Sequence, residues 1–197
     1  MIYPIVAYGD SILRKNTRFI EKDEFDLKKL SADMFETMYN ANGVGLAAPQ
    51  IGMDIRVFVV DGTPFSEQDE EDDEDVEPDL SLVNFKKVFI NPEILEEYGE
   101  EWGFEEGCLS LPGIRGDVYR HETVRIRYRD EEWNEYEEEF SGMAARIIQH
   151  EYDHLLGKLF VDYMPTLKKQ FIKKKLTDIS KGKVDADYKM RFPHSRR

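Results

Sequence analysis

The chain has 197 residues, of which 41% are hydrophobic and one is cysteine, and it carries a formal net charge of −14. That length and apolar content suffice for one sizeable core and predict a single domain over residues 1–197. No stretch approaches the roughly 18 apolar residues of a membrane span, MIYPIVAYGD lacks the basic and apolar regions of a secretory leader, and one cysteine permits no intrachain disulfide, so a reducing compartment, the cytoplasm, is expected.

Leu27, Leu30, Met34, Met38 and Ala41 recur at helical spacing and predict an amphipathic helix from Asp26 to Ala41. It leads into Gly43-Val44-Gly45-Leu46-Ala47-Ala48-Pro49-Gln50, which lacks the third glycine of a dinucleotide fingerprint. This block reads either as a tight turn or as backbone kept bare so that a bound peptide can pair with it as an added strand. Ile55 to Val60 is an apolar run expected to form a strand. Residues 67–79 hold ten acids in thirteen positions, and their mutual repulsion predicts a solvated or disordered insertion.

Lys87 to Asn91 is a second apolar run, and Val124 to Tyr128 alternates as a half-buried strand does. Asp130 to Trp133 reads as a turn into a partner strand over Tyr136 to Phe140. Met143, Ala144, Ile147, Ile148 and Leu155 form the apolar stripe of a helix with Ser141 as N-cap and Gly157 as terminator. After Pro165, Leu167, Phe171, Leu176 and Ile179 predict a C-terminal helix. The fold class is therefore α+β, with antiparallel strands surrounding a central helix and a further helix towards each terminus.

The central helix carries His150-Glu151-Tyr152-Asp153-His154. Residues i and i+4 share a helix face, so the two imidazoles can bind one cation while Glu151 stands beside its open position. A catalytic site ordinarily takes a third protein ligand. Two large metallopeptidase classes place it downstream, but the sixth residue after His154 is Phe160, and Glu151 is the last glutamate in the chain. His121, His194 and the thiol Cys108 remain, and a lone cysteine is more often an apolar filler than a ligand.

The residues around that thiol, Glu106-Gly107-Cys108-Leu109-Ser110-Leu111-Pro112, together with Gly43 to Gln50 and Gln149 to His154, resemble the three signature blocks of peptide deformylase, in the same order. The resemblance spans about residues 1–60 and 84–180 and implies removal of the formyl group from the N-terminal formyl-methionine of nascent polypeptides, with release of formate. By the same resemblance Cys108, His150 and His154 are the metal ligands, while Glu151, Gln50 and the backbone N–H of Leu109 are the catalytic groups. Gly43, Val44, Gly45, Gly107 and Leu109 face the peptide, and Phe104, Glu106, Met143, Arg146 and Ile147 border the methionine pocket. Arg146 is expected to lay its aliphatic stem there and send its guanidinium to water. Arg115 matches a residue near the peptide, with an ion pair to Glu106 as the alternative. A sulfur and nitrogen site ordinarily suggests Zn2+, whereas the resemblance implies Fe2+; Ni2+ and Co2+ are also admitted.

Charge is divided along the chain, with −22 on residues 1–157 and +8 on residues 158–197. Lys168, Lys169, Lys173, Lys174 and Lys175 make residues 165–183 either a docked helix with solvated lysines or a phosphate-binding element, for which ribosomal RNA is the candidate. Neither a membrane nor DNA is expected as a partner. An HExxH metallopeptidase and a non-catalytic, ribosome-associated metal-binding module are the competing functional readings. Missing downstream ligands argue against the first, and the joint presence of Gln50, Cys108 and Glu151 against the second.

Overall fold

In chain order the elements are β1 (Ile5–Val6), α1 (Leu27–Asn40), β2 (Gly45–Ala47), β3 (Val57–Asp61), β4 (Lys86–Gly107), β5 (Arg115–Arg129), β6 (Glu135–Ser141), α2 (Gly142–Leu155), α3 (Thr166–Ser180) and β7 (Met190–Arg191). These are seen in a computed structural model that describes residues 1–66 and 79–193, so all of the acidic stretch but Asp79, and also His194, lie outside the described residues. Strands β2-β3-β4-β5-β6 form an antiparallel sheet in that order, and β1 pairs with β7 in a separate parallel ribbon.

Strand β3 shows why the sheet is placed as it is. Val57 and Val59 join a core cluster with Leu30, Met34, Phe35 and Met38 of α1, while Phe58 and Val60 join one with Ala145, Ile147, Ile148 and Leu155 of α2. Both faces are thus covered, and a strand buried on both faces has an unbroken apolar sequence. Helix α1 is capped by Asp26, whose carboxylate accepts from the Lys29 N–H at 3.0 Å.

Two expectations need correction here. Ser141 occupies the N-cap position of α2 but makes no capping bond; its hydroxyl pairs with that of Thr123 at 2.9 Å. The strands foreseen at Lys87 to Asn91 and Val124 to Tyr128 are the inner parts of a hairpin whose arms are 22 and 15 residues long. Most of its outer half is exposed or half-buried, so an apolar alternation never marks it in the sequence. Backbone pairing from Glu101 opposite His121 to Gly107 opposite Arg115, with the buried Glu106–Arg120 ion pair at 2.7 Å, holds it instead. The hairpin tip returns the chain at Cys108, beside α2.

Gly157 terminates α2 as expected, with φ +70°, and a Cβ there would lie 2.5 Å from the Arg14 carbonyl oxygen. Helix α3 docks only in part. Ile179 is buried and Leu176 half-buried, yet Leu167 and Phe171 are 64% and 76% exposed.

Candidate active site

Helix α2 turns its other face to an open cleft of about 580 Å³. Cys108, at the end of β4, lies across from His150 and His154, and the ligand atoms of the three all fall within 4.8 Å of one another. Among the described residues this is the one cluster of three side chains suited to a metal ion. The Cys108 sulfur lies 3.4 Å from His154 Nε2, and the imidazole rings are 5.2 Å apart. His150 engages Glu106 through Nδ1 at 2.8 Å, which leaves Nε2 for a cation. The donor set and its spacing therefore fit one metal ion.

Burial and the neighbouring His150 hold the His154 imidazole well below its ordinary pKa, in the neutral form a ligand needs. His150 differs. Burial opposes its charge, but hydrogen bonds to Cys108 and Glu106 outweigh burial and raise it well above the ordinary value, so metal binding there displaces a proton. Glu151 lines the same cleft and is buried, and burial pushes its carboxyl up to about 7 against the pull of His150. Gly45 has to be glycine for this carboxylate to sit where it does, since a Cβ at that position would lie 2.7 Å from Glu151 Cδ.

Gln50, in the 3-10 turn Ala48–Ile51, is oriented by the last residue of β2. Its Oε1 accepts from the Ala47 N–H at 2.8 Å, so Nε2 points to Cys108 Sγ and Ser110 Oγ, each at 3.4 Å. Leu109 follows the thiol in a turn closed by the Leu111 N–H donating to the Cys108 carbonyl at 2.9 Å. Gly43, Val44, Gly45, Phe104, Gly107, Met143 and Ile147 all line the cleft. Strand β2 is an edge of the sheet: one side of it pairs with β3, and the other pairs with no strand among the described residues.

The charged residues are placed differently from the sequence expectation. Glu106 lines the cleft, but both its oxygens are occupied: Oε1 accepts from Arg120 Nε at 2.7 Å and Arg146 at 2.9 Å, and Oε2 from Arg120 at 3.0 Å and His150. Arg146 sends its guanidinium inward, not to water. It is 3% exposed, donates to the Val118 carbonyl at 2.9 Å and lies 4.3 Å from the centre of the Trp102 ring. Glu106, the Val118 and Trp102 carbonyls and the Trp102 and Phe104 rings converge on the guanidinium, and that makes its burial stable. Arg115 stays at the exposed rim and approaches Glu105 at 3.9 Å, not Glu106.

Sequence reasoning missed Arg120, Asp153 and Tyr163, which carry this network from the interior to the surface: buried Arg120 donates to buried Asp153 at 2.7 Å, and the hydroxyl of the exposed Tyr163 donates to Asp153 at 3.0 Å. Only the position of Asp153 inside the HExxH motif could have flagged it. Burial would raise the Glu106 carboxyl, but the hydrogen bonds from His150 and Arg120 overcome it and hold the group far below the carboxylate range. A depressed folded value gives stability that is full above the ordinary carboxylate pKa and is lost as pH falls towards the folded one. Glu106→Gln should therefore lower stability at neutral pH by about 3–5 kcal/mol and flatten its decline below roughly pH 4, as measured by urea unfolding across pH. A variant with the acid limb of the parent would show that other carboxylates govern it.

A buried acid beside a thiol and two-imidazole cluster, with an amide donor opposite and an open cleft in front, defines a metal-dependent hydrolase. The sequence model of the polypeptide deformylase family matches residues 2–170. The chain is 57% identical over 193 residues to a peptide deformylase of Cytophaga hutchinsonii, covering 98% of both chains, and 52% identical over 197 residues to one of Christiangramia forsetii, covering 100% of this chain and 99% of that one. A crystal structure of a peptide deformylase from Legionella pneumophila superposes with a TM-score of 0.75 at 38% identity, covering 92% of this chain and 96% of that one. The chain belongs to the polypeptide deformylase family: it is a metal-dependent hydrolase that removes the formyl group from nascent polypeptides.

Proposed function

We propose that Cys108, His150 and His154 hold one divalent ion, ferrous iron in the native state, and that the groups around them carry deformylation of formyl-methionyl chains. The observation behind this reading is the cluster of three ligand atoms within 4.8 Å, with the Gln50 amide nitrogen 3.4 Å from its sulfur. When bound, the metal supplies an acidified water and polarises the formyl oxygen. Glu151, raised to about 7 by burial, takes the proton of the attacking water and passes it to the departing amine. Gln50 Nε2 and the Leu109 N–H donate to the oxyanion that develops on the formyl carbon, where one such donor is worth about 2.7–4 kcal/mol.

The edge of β2 pairs with the substrate backbone, with Gly43, Val44, Gly45, Gly107 and Leu109 along it and Arg115 at the rim. Phe104, Met143, Ile147 and the neutralised Arg146 and Glu106 wall the methionine pocket. Residues 1–197 act as one domain, in the reducing cytoplasm that a thiolate ligand favours; no helix of the described residues is long and apolar enough to cross a membrane. Anaerobic purification followed by metal analysis and a formate-release assay tests the assignment. One ferrous ion per chain is expected in the active preparation, and zinc in its place would overturn the choice of iron.

The ribosome is the second partner we propose. Lys168 and Lys169 are engaged by Asp117 at 2.7 Å and the Asp162 carbonyl at 2.6 Å, whereas Lys173, Lys174 and Lys175 are exposed and make no ion pair among the described residues. They share α3 with the exposed Leu167 and Phe171. Ribosome affinity should fall steeply with salt, and replacing the three lysines with Glu should weaken it at least about 100-fold while peptide turnover holds. Unchanged binding would return α3 to a plain docked helix.

A further inference from the structure

The thiol and the Leu109 N–H sit on a short loop between β4 and β5, and that loop is held by both ends of the chain. From the N-terminal side, the Tyr8 N–H donates to the Ser110 carbonyl at 2.9 Å. From the C-terminal side, the Tyr188 hydroxyl donates to the Leu109 carbonyl at 2.7 Å. The two sides are themselves joined as the parallel pair β1–β7, through the Ile5 N–H to Lys189 at 2.8 Å and the Ala7 N–H to Arg191 at 2.9 Å. Residues 185–188 then run along the cleft wall, beyond the 2–170 match to the family.

We propose that Tyr188 is a positioning residue for deformylation, acting through the Leu109 backbone. The inference rests on the reading of the Leu109 N–H as an oxyanion donor. A donor is effective in proportion to how firmly it is aimed before reaction, since preorganisation is what separates it from water. The Leu109 N–H lies in the peptide plane it shares with the Cys108 carbonyl, and that plane stays in place only if the neighbouring plane across the Leu109 Cα is also restrained. The Leu111 N–H pins the first plane by its hydrogen bond to the Cys108 carbonyl, and Tyr188 pins the second through the Leu109 carbonyl. Tyr188 is anchored in turn by packing against the core cluster that contains α1 and by the β7 residues that follow it. Its hydroxyl bonds the Leu109 carbonyl and not the Leu109 N–H, so it acts by holding the loop still.

Tyr188→Phe in the full-length, metal-loaded enzyme removes the hydroxyl and keeps the ring packing. The expected result is kcat lowered about tenfold, as for other residues that orient a site from behind, with KM for a formyl-Met peptide within about twofold and metal content unchanged. Amide hydrogen exchange over Cys108 to Leu111 should quicken, while the helix carrying His150 keeps its protection. Unaltered exchange in the loop would overturn the proposal, because the hydrogen bond would then not be what restrains it. Faster exchange with unaltered kcat would also overturn it, and a Gln50→Ala variant of full turnover would in that case locate the failure in the oxyanion reading itself. Loss of metal in Tyr188→Phe would overturn it as well, by showing that the loop is needed for ligation and not for aim.

Discussion

Cys108→Ala should fold yet hold its metal at least about 100-fold more weakly than the parent, since losing even an outer-shell partner of a metal ligand costs roughly 10–100-fold. The remaining donors, His150 and His154, come from one helix face, and two imidazoles leave a cation open on the cleft side. Equilibration with buffered free metal, followed by metal analysis, reads the loss directly and needs no turnover. Stoichiometric, tightly held metal in this variant would sink the proposed ligand set. Folding should survive, because the thiol is only half-buried and its loop is fastened through Tyr8 and Tyr188.

Glu151→Gln should keep its metal and lose turnover by about 10²–10⁴-fold, the range associated with a positioned proton-transfer group. The amide is isosteric with the acid, so it still fits against Gly45, but it cannot accept the water's proton. In the parent, the carboxyl raised to about 7 by burial stands near the pH at which it must exchange that proton, and the charge of a bound cation would draw its value down. Single-turnover formate release with metal content measured on the same sample separates the two effects. Turnover equal to the parent would exclude Glu151 as the proton carrier, whereas loss of both metal and turnover would recast it as a ligand or a structural support.

Helices α1 and α2, strand β3 and the HExxH pair were legible in the sequence because each is a local pattern. A 3.6-residue apolar period, a continuous apolar run and an i, i+4 histidine pair are all set within a few turns or residues of backbone. The resemblance of three separated blocks then joined Gln50 and Cys108 to that pair. The outer half of the β4–β5 hairpin was not legible, because its stability comes from backbone pairing and the buried Glu106–Arg120 pair, with few apolar residues to mark its faces.

By itself the sequence determined the helical metal motif, the glycine block, the acidic body and the basic tail, all of which depend on residue type and short-range spacing. The tertiary structure alone decided which charges face one another. It brings Cys108 to within 3.4 Å of a histidine 46 residues away, turns Arg146 inward, and gathers Arg120, Arg146 and His150 around Glu106. It also returns Tyr188 to the thiol loop. The physical reason is that a buried charge is stable only where partners converge on it, and convergence across distant segments is a property of the packed chain that no local pattern encodes.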